Sequence, residues 1–102
     1  MPYFTLTYEV VDNYTEKRTP YRAEHLQKAR EAAARGELIM AGALADPDGA
    51  LLVFRGPDRS VAENFAKADP YVNAGLVARW TVRPWTVVIG QDPADTPPGL
   101  PT

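Results

Sequence analysis

The order in which hydrophobic periodicity changes along the chain constrains its fold more than any single motif. Residues 3–11 alternate, with Phe4, Leu6, Tyr8 and Val10 on one side and Tyr3, Thr5, Thr7 and Glu9 on the other, the period of a half-buried strand. Residues 12–18 are polar and read as a turn. Thr19 and Pro20 then read as an N-cap followed by proline at the first helical position, where its missing N–H does no harm. A helix is expected over residues 20–35, with Leu26, Ala29 and Ala33 as its apolar stripe and Gly36 where a left-handed residue ends a helix. Residues 37–44 and 50–54 are apolar runs joined by Asp46, Pro47, Asp48 and Gly49, the composition of a hairpin turn. Ser60 and Glu63 match a capping box opening a second helix, with Ala62, Phe65 and Ala66 turned inward. Pro70 disfavours helical backbone at Asp69, so that helix stops near Ala68. Residues 76–89 read as a long last strand, in which Pro84 requires a bulge or an edge position.

Strand, helix, strand, strand, helix, strand is the order of a ferredoxin-like plait, an α+β fold in which an antiparallel sheet carries both helices on one face. A chain of 102 residues suits one such domain, placed at residues 1–89. Residues 90–102 hold prolines, acids and almost nothing to bury, and read as a flexible tail. The hairpin strands add a further constraint. Leu38 to Ala41 and Leu51 to Phe54 are apolar on both faces, whereas two helices cover only one face of the sheet. A second copy of the chain is the simplest cover, which predicts a homodimer packed through its sheet faces. The tail is the lesser option.

Composition bears on function by exclusion. Without cysteine there is no thiolate nucleophile, redox pair or iron–sulfur cluster, and an intracellular address is permitted. The first ten residues lack the basic region and apolar core of a secretory leader, and no stretch approaches the roughly 20 apolar residues of a membrane span. A soluble, cytoplasmic protein without a membrane partner is therefore expected. A net charge of -2, from eleven basic and thirteen acidic residues spread along the chain, offers no polycation for nucleic acid. His25 is the only histidine, which excludes a histidine-pair metal site, and no metal is expected. Ser60 is the only serine and serves as a helix cap, which leaves no Ser-His-Asp arrangement.

Two residues remain. His25 lies beside Leu26 and three residues after Arg22, a spacing that sets the two side chains next to each other on a helix. Asp69 can cap a turn beginning at Pro70, accepting the N–H of Tyr71 or Val72, with Gly75 ending that turn. Each has a plain reading, a half-exposed imidazole and a capping carboxylate. Each also has a chemical one, a general acid/base with an ordinary pKa of about 6.5 and the group that orients it. A plait lays its helices side by side and roughly antiparallel, which permits the pair to meet.

The elements YRAEHL (21–26), GELIMAGAL (36–44), DPYVNAGL (69–76) and VRPW (82–85) together resemble the YciI-like, or YCII-related, domain family over residues 3–88. The resemblance implies a dimeric ferredoxin-like domain with a His–Asp dyad in a cleft, at His25 and Asp69. It also implies kinship with muconolactone-isomerase-like proteins and with a dehydrochlorinase acting on chlorinated hydroxyhydroquinone. Against that family the hairpin loop, residues 45–50, is shorter than in many relatives, which implies that a cleft wall they possess is missing or reshaped.

In such a site His25 moves a proton while Asp69 fixes its tautomer. Arg22 reads either as the holder of an anionic or phenolate oxygen or as a solvated charge. Tyr71 and Tyr3 read as aromatic pocket or as packing. Gly42 reads as a close backbone approach under the cleft. The function expected is acid–base catalysis without a cofactor, an elimination or isomerisation of a small cyclic or aromatic molecule. The alternative is a non-catalytic ligand-binding or accessory dimer, with His25 locked in packing and a cleft too small for a ligand.

Overall fold

A computed structural model of the chain describes residues 1–90. The elements are β1 (Tyr3–Val10), α1 (Tyr14–Lys17), a 3-10 turn (Thr19–Tyr21), α2 (Arg22–Ala34), β2 (Leu38–Leu44), β3 (Gly49–Arg55), α3 (Ser60–Ala68), α4 (Pro70–Asn73) and β4 (Val77–Trp85). The four strands form one antiparallel sheet in the order β2-β3-β1-β4. That order, with a helix on each β1-to-β2 and β3-to-β4 connection, is the ferredoxin-like plait. Residues 91–102, most of the expected tail, lie outside the described residues.

The register of β1 decides what the helices cover. Phe4 stands opposite Phe54 and Pro84, Leu6 opposite Leu52 and Val82, and Tyr8 opposite Ala50 and Trp80. Phe4, Leu6, Tyr8, Leu52, Phe54 and Val82 are buried in one cluster with Ala32 of α2 and Ala62, Phe65 and Ala66 of α3, so both helices lie on this face. The Phe54 and Phe65 rings meet at 5.3 Å. Burying aliphatic and aromatic side chains of this size stabilises the fold by about 1.5–3 kcal/mol each. The opposite face carries Thr5, Thr7 and Glu9, with Glu9 ion-paired to Arg79 across the β1–β4 ladder. Met40, Leu44, Leu51 and Trp85 share that face, and Met40 is 63% exposed and Trp85 48% exposed. No helix among the described residues is long and apolar enough to cross a membrane.

Four local expectations are corrected. The polar residues 12–18 contain a helical turn, α1, because Tyr14 turns into the core and packs edge-on against Tyr71, its ring centroid 5.7 Å away. Thr19 makes no side-chain cap; it and Pro20 form the 3-10 turn, and the α-helix proper starts at Arg22. Ser60 and Glu63 do not form a capping box. Arg59 already has helical backbone, so Ser60 is the first helical residue, and its N–H and hydroxyl both donate to Asp58. Glu63 approaches Arg59 instead, at 3.8 Å. The last strand ends at Trp85 because its partner there is Tyr3, the first residue of β1, and nothing remains to pair with. Pro84 sits on the edge strand β4, where a missing donor is tolerated.

Candidate active site

Asp69 owes its position to a break in the chain. Pro70 holds it extended, at φ -70 and ψ 123, between the end of α3 and the start of α4. Gly75, at φ 79, then turns the chain out of α4 toward β4. The Asp69 carboxylate points inward and is completely buried, the one buried charged residue among those described. A carboxylate so placed must be fully hydrogen-bonded. Three donors surround it. The Tyr71 N–H donates to Oδ1 at 2.9 Å, His25 Nδ1 lies 2.9 Å from the same oxygen, and the Tyr8 hydroxyl donates to Oδ2 at 2.6 Å.

The tautomer of His25 follows from these partners. Tyr71 N–H can only donate, and burial, helped by the nearby Asp69 charge, raises the Tyr8 phenol far above its ordinary value, so Tyr8 keeps its proton and donates as well. Asp69 is thus an acceptor throughout. The neutral imidazole shares its proton at Nδ1 and leaves Nε2 with a lone pair. The ring is stacked on Tyr71, centroids 3.9 Å apart and planes 9° from parallel, with Phe65 edge-on at 6.4 Å. Its side chain is 16% exposed, which leaves an edge accessible.

That edge opens on a cleft of about 270 Å³ between α2 and the β2–β3 hairpin. Leu26, Ala29, Ala41, Ala43, Ala50 and Leu52 give it apolar walls, and Tyr14, Arg18 and Arg22 give it a polar end. The small side chains of β2 make the room. Gly49 is needed at the hairpin for a close approach: a Cβ there would come within 2.8 Å of the Tyr8 carbonyl oxygen.

The structure therefore brings His25, Asp69, Tyr71 and Arg22 to one place. Tyr71 backs the imidazole and also lines the cleft. Tyr3 is not in the site. It stands on the opposite face of the sheet from Tyr8, in register with Arg55 and Trp85, because an odd-numbered β1 position points away from the helices. Gly42 lines the cleft, but a Cβ added there would meet nothing within 4 Å, so the close approach expected of it belongs to Gly49. Sequence reasoning missed Tyr8, Tyr14 and Arg18. Tyr8 did carry a signal: it is the only side chain with a polar tip on the inner face of β1. Among the described residues no group of three or more His, Cys, Asp or Glu side chains could hold a metal ion.

Similar proteins bear on the fold and the family. A protein of Haemophilus influenzae described as uncharacterized is 28% identical over 96 residues, which cover 84% of this chain and 98% of that protein. Among solved structures, the 5-chloro-2-hydroxyhydroquinone dehydrochlorinase of Burkholderia phenoliruptrix AC1100, in complex with 2,5-dihydroxybenzoquinone, superposes with a TM-score of 0.69 at 21% identity, covering 81% of this chain and 92% of that one. An antibiotic biosynthesis monooxygenase superposes with a TM-score of 0.54 at 16% identity, covering 87% of this chain and all of the other. At these identities the two comparisons establish a common fold. The YCII-related domain model matches residues 1–86, nearly the whole described structure, and the chain belongs to that family.

Proposed function

We propose that the cleft performs acid–base chemistry, without a cofactor, on a small cyclic or aromatic molecule, as an elimination or an isomerisation. The observation that carries this reading is the completely buried Asp69 carboxylate, which holds the Nδ1 side of an imidazole whose other edge borders a ligand-sized cleft. His25 is the general base: Nε2 takes a proton from the substrate, and the imidazolium formed is stabilised by Asp69. In an elimination the electron pair left behind becomes a π bond as the leaving group departs with its own pair. In an isomerisation the proton returns from Nε2 to a different atom. Arg22, at the polar end of the cleft, holds a substrate oxygen. A fold neighbour whose name records a dehydrochlorinase makes elimination of chloride from a hydroxylated ring a natural first assay.

The test is turnover of a panel of chlorinated hydroxyhydroquinones and unsaturated lactones by the wild-type chain, His25→Ala and Asp69→Asn. Loss of general acid–base catalysis lowers the rate about 10²- to 10⁴-fold. Turnover that survives His25→Ala unchanged removes the catalytic role. One observation favours the alternative, a ligand-binding or accessory module: the imidazole is stacked and mostly covered, as a packing residue would be. The open cleft beside it speaks against a purely structural histidine.

The assembly we propose is a homodimer joined through the open sheet faces, where Met40 and Leu44 on one edge strand and Trp85 on the other are exposed. Sedimentation equilibrium checks it, with Met40→Asp expected to shift dimer to monomer. A wild-type chain that sediments as a monomer at every concentration ends the idea.

A further inference from the structure

The polar end of the cleft has a chemistry of its own. Arg18 closes α1 and Arg22 opens α2, so the bend between those helices points two guanidinium groups at one space. No Asp or Glu lines the cleft, and neither arginine forms an ion pair among the described residues. Arg18 lies over the Tyr14 ring, 5.3 Å from its centroid. The Tyr71 hydroxyl is buried, and no acceptor takes its proton, because the Arg22 guanidinium beside it can only donate. A buried phenol without an acceptor is costly, by about 1–3 kcal/mol. Burial raises both the Tyr14 and the Tyr71 phenols, while Arg18 and Arg22 draw them partway back. Both phenols therefore stay protonated at neutral pH and remain donors. Arg18 and Arg22 donate toward the Tyr14 and Tyr71 oxygens, and no carboxylate among the cleft-lining residues answers the four groups.

We infer that Arg18, Arg22 and the hydroxyls of Tyr14 and Tyr71 form an oxyanion subsite, so that the ligand of this cleft is an anion: a carboxylate or ionised enol on an apolar body of about one ring. The rest of the cleft fits such a body. Its walls are alanine and leucine, and its volume of about 270 Å³ exceeds the roughly 150 Å³ that suffices for benzene in an apolar cavity. Guanidinium groups match a carboxylate in a planar, two-bonded geometry, and each phenol adds a neutral bond. The inference rests on the proposed function for the location of the ligand but not for the reaction: the anion is held at one end while His25 works beside it.

Isothermal titration calorimetry of the full chain with benzoate and with benzamide tests the subsite directly, because the two probes share a ring and differ in charge. Benzoate binds at least tenfold tighter than benzamide, and its affinity falls with added salt. Arg18→Met and Arg22→Met, both changes at exposed or half-exposed side chains, each weaken benzoate about tenfold and leave benzamide unchanged. Tyr71→Phe weakens benzoate a further few-fold. Equal binding of the two probes, absence of saturable benzoate binding, or benzoate affinity unaltered in the Arg18→Met/Arg22→Met double variant each overturns the inference. His25→Gln separates it from the catalytic reading. That variant keeps benzoate affinity within about threefold if the subsite is as described, whatever the turnover assays return.

Discussion

The two long helices of this fold do opposite work. α3 has nine residues, and three of them, Ala62, Phe65 and Ala66, are buried against the sheet. α2 has thirteen, and only Ala32 is buried. The cause is composition. Arg22, Glu24, Gln27, Lys28, Arg30 and Glu31 make up nearly half of α2, its apolar side chains other than Leu26 are all alanines, and of these Ala29 lines the cleft together with Leu26. The shorter helix therefore anchors the domain and ends in Asp69. The longer one carries His25, and its N-terminal half borders the cleft. The acid sits on the firmly held side and the base on the loosely packed side, an arrangement in which a ligand can enter without disturbing the core.

Truncating one side chain on each helix breaks or sharpens that contrast. Phe65→Ala is expected to lower the unfolding free energy by about 3–5 kcal/mol, whereas Leu26→Ala, half-exposed on the cleft wall, costs about 1 kcal/mol. Urea unfolding of both variants reads the difference, and equal costs would mean that α2 is anchored as firmly as α3. The next effect lies between the helices. Tyr8→Phe leaves Asp69 Oδ2 without its donor at the floor of the site and is expected to destabilise the chain by about 1–3 kcal/mol. The same bond has a pH signature. The folded Tyr8 phenol is raised above its unfolded value of about 10, so its contribution is intact below about pH 10 and declines above it, where the unfolded chain loses a proton that the folded chain keeps. Each such phenol adds a slope of about 1.4 kcal/mol per pH unit. Unfolding curves between about pH 9 and 12 should therefore fall less steeply for Tyr8→Phe than for the wild type, and identical slopes would mean that Tyr8 ionises in the folded chain as it does unfolded.

Local signals made most of the fold legible. Alternation marked β1, proline fixed the break at Asp69, and Gly36 and Gly75 take the positive φ expected where helices end. The cap at Tyr71 N–H was readable because it spans two residues. Contacts that depend on tertiary packing were harder to see. Tyr8 and Asp69 are separated by 61 positions, and the periodicity of β1 says only that Tyr8 faces inward, not what its hydroxyl meets. Tyr14 was hidden in a polar stretch whose helical turn exists because one ring finds Tyr71. Ser60 misled for the opposite reason: the pattern of a capping box was present, but Asp58 lies two residues upstream and takes both the Ser60 N–H and its hydroxyl. Topology permitted the meeting of His25 and Asp69 without requiring it, and the family resemblance singled the pair out; the polar end at Arg18 was not legible, because it depends on how α1 is docked.

The flat contact between the imidazole and Tyr71 has a spectroscopic consequence. A proton held above an aromatic face is shielded by the ring current, so the carbon-bound protons of His25 resonate upfield of their usual positions. The chain has a single histidine, and those two signals identify themselves without assignment. They provide a built-in gauge of whether the two rings remain together as a ligand arrives, a partner docks or a variant relaxes.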